Sequence, residues 1–134
     1  MLTIGSVMNN QADSAKIQAV IAARPGIGRE VLRAIVGLLP QIEVAGTVGG
    51  GLSVLNLVQK NPPSLLIIDS GLPEDEMVAL LTHIKQDQPQ IRCLVLAETT
   101  RQQATFMALG ADAAVLRSEP TERLTEALDN MGLW

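Results

Sequence analysis

The chain has 134 residues, 47% of them hydrophobic and 18% charged, which fits one domain with a sizeable core and argues against a globally disordered chain. A formal charge of -4 with ten basic residues scattered singly, and aromatics reduced to Phe106 and Trp134, argue against direct nucleic-acid binding by charge or by stacking. One cysteine excludes an internal disulfide and a cysteine-based zinc site, and no apolar run reaches the ~18–20 residues that span a bilayer. With no basic residue in the first fifteen to open a signal peptide, the expected location is cytoplasmic, away from membranes.

Residues 1–15 lack sustained periodicity and are expected to form an N-terminal extension before a domain over 16–134. From there, short apolar runs alternate with amphipathic segments, the pattern of a parallel sheet covered by helices. Strands are expected at 17–22, 42–48, 65–69, 92–97 and 113–116. The first helix is expected over 29–39, with Val31, Leu32, Ile35, Leu38 and Leu39 on its apolar side. The next two are expected over 52–60, around Val54, Leu57 and Val58, and 77–86, where Met77, Leu80, Leu81 and Ile84 make a full i, i+3, i+4, i+7 stripe. Two more fall at 101–109 and 121–130. Asn61-Pro62-Pro63 and Gln88-Pro89 stop the second and third helices, Gly110 closes the fourth, and Thr121 is expected to cap the fifth. The fold class is therefore α/β, a doubly wound (βα)5 sandwich.

Such sheets place ligand sites beyond the carboxyl ends of their strands, where strand order reverses. Ala22, Ala23, Asp69, Ala97 and Arg117 all fall at or just past those ends. Asp69 stands out, because it ends the apolar run Leu65–Ile68 and is followed by Ser70-Gly71-Leu72-Pro73. A partly buried carboxylate carries a large desolvation cost unless it is paired. Arg117 is the expected partner, and the simpler alternative is a solvated acid at a strand end.

Over residues 16–131 the sequence resembles the receiver domain of two-component response regulators, with spacing similar to the NarL/FixJ class. The resemblance rests on Asp69 with its D-x-x-[LM]-P loop, on Pro25 before the 29–36 segment, and on Gly110-Ala111-Asp112 before the last strand. It implies a flavodoxin/CheY-like sheet of order 2-1-3-4-5, with Asp69 at the phosphoacceptor position. It also implies that two carboxylates after the first strand should hold Mg²⁺ beside Asp69. The matching residues are Ala22 and Ala23, whose side chains carry no oxygen. The backbone carbonyl at Gly71 and one aspartate form a poor octahedral set, so Mg²⁺ binding is expected to be weak or absent. The hydroxyl at the end of the fourth strand is replaced by Ala97, the lysine after the fifth by Arg117, and the aromatic switch residue by Ala114. The resemblance is thus to a degenerate, or pseudo-, receiver.

Other patterns admit plainer readings. Gly26-Ile27-Gly28 begins a dinucleotide fingerprint whose third glycine position is Val31, and the glycines more simply ease the turn into the first helix. Gly49-Gly50-Gly51 lacks the Lys-Ser/Thr of a phosphate loop. Glu74-Asp75-Glu76 offers a route to rescued metal binding, against the simpler role of complementing a helix dipole. Arg24 adds positive charge near Asp69, His83 reads as a surface residue, and Cys93 as a small buried one. No hydrolase triad or carboxylate pair emerges, and no enzyme is expected.

The leading functional expectation is a signalling module that works by phosphorylation-independent protein–protein interaction, with no cofactor. The alternative is an atypical receiver phosphorylated on Asp69 by a histidine kinase, as the regulatory part of a transcriptional regulator. Expected partners are a signalling protein or histidine kinase and a second copy in a homodimer. By the same resemblance, residues 100–109 and 113–130 form the interaction surface, where an outward-facing Phe106 would be an anchor and an inward-facing one ordinary core.

Overall fold

The computed structural model describes residues 16–134, and the expected extension over 1–15 lies outside them. Five short apolar runs pair as parallel strands: β1 (Ile17–Ala22), β2 (Ile42–Val48), β3 (Leu65–Asp69), β4 (Arg92–Ala97) and β5 (Ala113–Leu116). Their bounds match the sequence expectation, because runs this short and this aliphatic bury both faces only inside a sheet. The order is β2-β1-β3-β4-β5, so each βα unit winds back over the sheet and the winding reverses between β1 and β3.

The helices are α1 (Ile27–Gly37), α2 (Gly51–Lys60), α3 (Glu74–Asp87), α4 (Thr100–Ala108) and α5 (Thr121–Asp129). One core lies under α2, α3 and α4, where Val54, Val58, Met77, Leu80, Leu81, Ile84 and Phe106 meet Val20, Leu66, Ile68 and Val95 of the sheet. The other lies under α1 and α5, where Leu32, Val36, Leu124 and Leu128 meet Ala19, Ile21, Ile67 and Leu94. Side chains alternating along each strand feed the two cores in turn.

Several expectations are corrected. Helix α1 starts at Ile27, with Gly26 as its N-cap at φ 150, a conformation that favours glycine. Val31 is 51% exposed and Leu38 82% exposed, so the apolar side of α1 is the narrower stripe through Leu32 and Val36. Helix α3 starts three residues early because the acidic run is its first turn, where negative charge meets the positive end of the dipole. Thr121 is the first residue of α5 rather than its cap, and that role falls to Pro120, whose fixed φ suits a helix start. Phe106 is completely buried in the core under α3 and α4, so it takes the packing alternative and presents no anchor. Gly110 does close α4, with φ 105.

Candidate functional site

The parallel register brings the strand ends level: Ala22 lies opposite Ile68, Asp69 opposite Leu96, and Ala97 opposite Leu116. Arg117 follows β5 directly and is anchored there by its backbone N–H, which donates to the Ala97 carbonyl at 2.9 Å. The strand-end residues therefore share one end of the sheet, with Ala22, Ala23 and Asp69 at the ends of the two strands between which the winding reverses. Ala114, the switch position, lies further down β5, partly buried, and its carbonyl accepts from Gln103 Nε2 at 2.8 Å.

Asp69 is 5% exposed and is the one buried charged residue among the described residues. Its carboxylate Oδ1 lies 3.6 Å from Arg117 Nη1, an ion pair too long to be a direct hydrogen bond. Burial pushes the Asp69 carboxyl above its ordinary range, although the Arg117 charge and the amides of Gly71 and Ser70 pull it down, and Glu98 pushes it further up. Desolvation outweighs pairing here because the Arg117 side chain is 38% exposed and its charge partly screened by water.

Gly28 and Gly71 make room for this pair. A Cβ on Gly28 would stand 3.1 Å from Arg117 Nη2, and one on Gly71 would stand 3.1 Å from Asp69 Oδ2. The glycine that looked like part of a nucleotide fingerprint thus serves close approach to an arginine. Ala22, Ala23 and Ala97 are each fully buried. The Ala23 carbonyl accepts from Arg29 Nη1 at 3.2 Å.

The residues around Asp69 do not fit a divalent cation. One carboxylate is paired with one guanidinium, and the two positions that would complete the set are apolar and buried. The acidic run does not fill the gap. Glu74 is held by Arg101, with Nη2 to Oε1 at 2.6 Å, and by Gln102 Nε2 at 2.8 Å, and these contacts hold it below its ordinary range. Glu76 reaches sideways to accept from the Gly51 N–H at the start of α2, and Asp75 accepts from its neighbour Glu76 N–H. The Gly49–Gly51 turn therefore receives a carboxylate from its own chain.

Two residues that sequence reasoning missed complete the surroundings. Ser70 Oγ donates to Glu98 Oε2 at 3.1 Å, and the Glu98 N–H donates to Gln102 Oε1 at 2.8 Å. With Glu74, Arg101 and Gln102, these contacts tie the β3–α3 loop to the β4–α4 loop. No short motif could reveal the ties between the two segments, since these join residues 27 and 28 apart in sequence.

The chain belongs to the response regulator receiver domain family, whose sequence model matches residues 26–129. It is a receiver domain of the kind found in two-component signalling, and the matched stretch begins after Ala22 and Ala23. Among curated relatives it is 27% identical over 123 residues to the transcriptional regulatory protein DegU of Brevibacillus brevis, covering 90% of this chain and 52% of that protein. It is 27% identical over 107 residues to the DNA-binding transcriptional activator DevR/DosR of Mycobacterium tuberculosis, covering 76% of this chain and 49% of that protein. The chain thus spans about half the length of these curated relatives.

Among solved structures, the isolated REC domain of RcsB from Salmonella enterica serovar Typhimurium superposes with a TM-score of 0.76 at 21% identity, over 85% of this chain and 86% of that one. The signal receiver domain of the response regulator NarL from Mycobacterium tuberculosis superposes at 0.75 and 18% identity, over 87% and 96%. At these identities the likeness establishes the fold. Among the described residues no helix is long and apolar enough to cross a membrane.

Proposed function

We propose that this chain is a pseudo-receiver, a signalling domain that acts through phosphorylation-independent protein–protein interaction. The observation that carries the reading is the pairing of Asp69 with Arg117 beside two fully buried alanines, Ala22 and Ala23, where a phosphoacceptor site needs carboxylates. Phosphoryl transfer to an aspartate leans on a cation that neutralises charge on the transferring group. Here the neighbouring positive charge is a guanidinium 3.6 Å from the acceptor, which cannot bridge phosphoryl oxygens as a bound cation does. The relay is also without its moving parts, since Ala97 offers no hydroxyl and Ala114 no ring.

Output on this reading passes to a signalling protein or to a second copy of the chain, through the face formed by α4, β5 and α5. There Met107, Ala113, Ala114, Ala127 and Met131 line a hollow of about 360 Å3. No cofactor, enzymatic step or nucleic-acid contact is proposed for these residues. The relatives named as transcriptional regulators support the wider reading that such a domain serves a regulator of transcription, in the cytoplasm.

The test is a titration with Mg²⁺ and then beryllofluoride, a phosphoryl mimic, followed by backbone amide NMR at Asp69, Ala97 and Arg117. No saturable shift at millimolar metal is expected. Saturable shifts abolished by Asp69→Asn would establish the alternative, a working phosphoacceptor served by a histidine kinase.

A further inference from the structure

Between α1 and α5, on the open side of the Asp69–Arg117 pair, lies a cavity of about 270 Å3. Its walls are aliphatic: Val31, Leu32 and Ile35 from α1, Leu116 from β5, Pro120, and Leu124 from α5. Its polar lining includes Asp69, Arg117, Glu119 and Thr121.

Hydrogen-bond accounting singles out one of these groups. Glu119 is engaged, since Oε1 accepts from the Leu116 N–H at 3.1 Å and Oε2 from Arg123 Nε at 2.8 Å. Asp69 draws on the amides of Ser70 and Gly71. Arg117 carries five N–H donors, and among the described residues none of them makes a side-chain hydrogen bond, its one ionic contact being the 3.6 Å approach to Asp69. A half-exposed guanidinium facing an aliphatic cleft calls for a planar acceptor, and a forked carboxylate is the matching geometry.

We propose that this cleft binds a small monocarboxylate with an aliphatic or aryl tail, its carboxylate forked on Arg117 and its tail between α1 and α5. This deepens the pseudo-receiver reading and rests on it: a diffusible acid takes the place of a phosphoryl group as the input. The volume sits at the lower edge of small-molecule pockets, room for roughly six to ten non-hydrogen atoms rather than for a nucleotide. Charge narrows the class further. A monocarboxylate adds one negative charge beside Asp69 and Glu119, the least that an anion can bring, whereas a phosphate would add up to two. The ligand competes with Asp69 for Arg117, so binding separates the internal pair and couples the cleft to the loops tied around Ser70 and Glu98.

The experiment titrates the full chain with hexanoate by NMR and calorimetry, with hexylamine as the charge-inverted control and inorganic phosphate as the tailless anion. Saturable hexanoate binding is expected, with shifts at Val31, Arg117 and Leu124. Binding should weaken about tenfold in Arg117→Gln and in Val31→Glu, an exposed position that tolerates substitution, and tighten about threefold in Asp69→Asn, which removes the internal competitor. Equal binding of hexylamine, displacement of hexanoate by phosphate alone, or unchanged affinity in Arg117→Gln would each overturn the proposal. Failure of hexanoate with the pocket inert to Mg²⁺ sinks this inference and leaves the pseudo-receiver reading standing. Saturable Mg²⁺ shifts that depend on Asp69 remove that reading and this inference together.

Discussion

Asp69 and Asp112 sit at opposite ends of the same sheet, and the molecule treats them differently. Asp112, before β5, accepts from Lys85 Nζ at 2.7 Å, from the Cys93 N–H at 2.8 Å and from Arg92 Nη1 at 3.4 Å. Burial pushes its carboxyl up, but the Lys85 and Cys93 hydrogen bonds and the two cations outweigh that push, so it lies below its ordinary range. Asp69 has one distant cation and two amides, and it lies above. The Asp112 carboxylate is surrounded by donors, whereas that of Asp69 keeps lone pairs open. The cost of leaving them open falls on stability, and it is measurable.

The sharpest way to break the comparison is to remove the satisfied acid. Asp112→Ala strips three donors of their acceptor, including the Cys93 amide inside the sheet, and should destabilise the fold by about 3 kcal/mol in urea titrations. A loss below about 1 kcal/mol would show that the network is ornamental.

Removing the cation at the other end should cost less. Arg117→Gln leaves Asp69 without its counter-charge, with an expected loss of about 1 kcal/mol at neutral pH, discounted because the arginine side chain is 38% exposed. Most of that loss should vanish in the Asp69→Asn background, and a double-mutant cycle with no coupling would mean that the pair is only a proximity.

The acid itself should behave in the opposite sense to Asp112. A group whose folded-state affinity for protons exceeds its unfolded one loses stability as pH rises through the window between the two pKa values. Asp69 therefore contributes least at neutral pH, and Asp69→Asn should gain up to about 1 kcal/mol there. The gain should fade below pH about 4, where Asp69 is protonated in both states. For Asp112 the sign reverses: its stabilisation is present above the ordinary carboxylate range and is lost on acidification. Thermal unfolding of both asparagine variants across pH checks the pair of signs.

The smallest effect is expected from Gly28→Ala. The added methyl favours helix α1 by up to about 1 kcal/mol but crowds Arg117 Nη2 at 3.1 Å, so the net change should stay within about 0.5 kcal/mol. Displacement of the guanidinium should raise the Asp69 pKa, which a carboxyl-carbon NMR titration would register. An unmoved titration would mean that the arginine simply swings aside.

The sequence made the sheet legible because each strand is a short aliphatic run buried on both faces. Its helices were less legible at their ends. Exposed Val31 and Leu38 imitate a core stripe on α1, and the acids of the first turn of α3 look like a loop until the helix is seen to include them. At the site, Asp69 and Arg117 were readable as strand-end positions. Glu98, Ser70 and the purpose of Gly28 were not, because each acts on a residue that only the sheet brings near.

Ala22 and Ala23 also set what this end of the sheet tolerates. A single new aspartate at either fully buried position would bring a second negative charge near Asp69 with only the Arg117 guanidinium to serve both. This strand end therefore holds one acid against one guanidinium, and any further acid placed there would have to arrive with a counter-charge of its own.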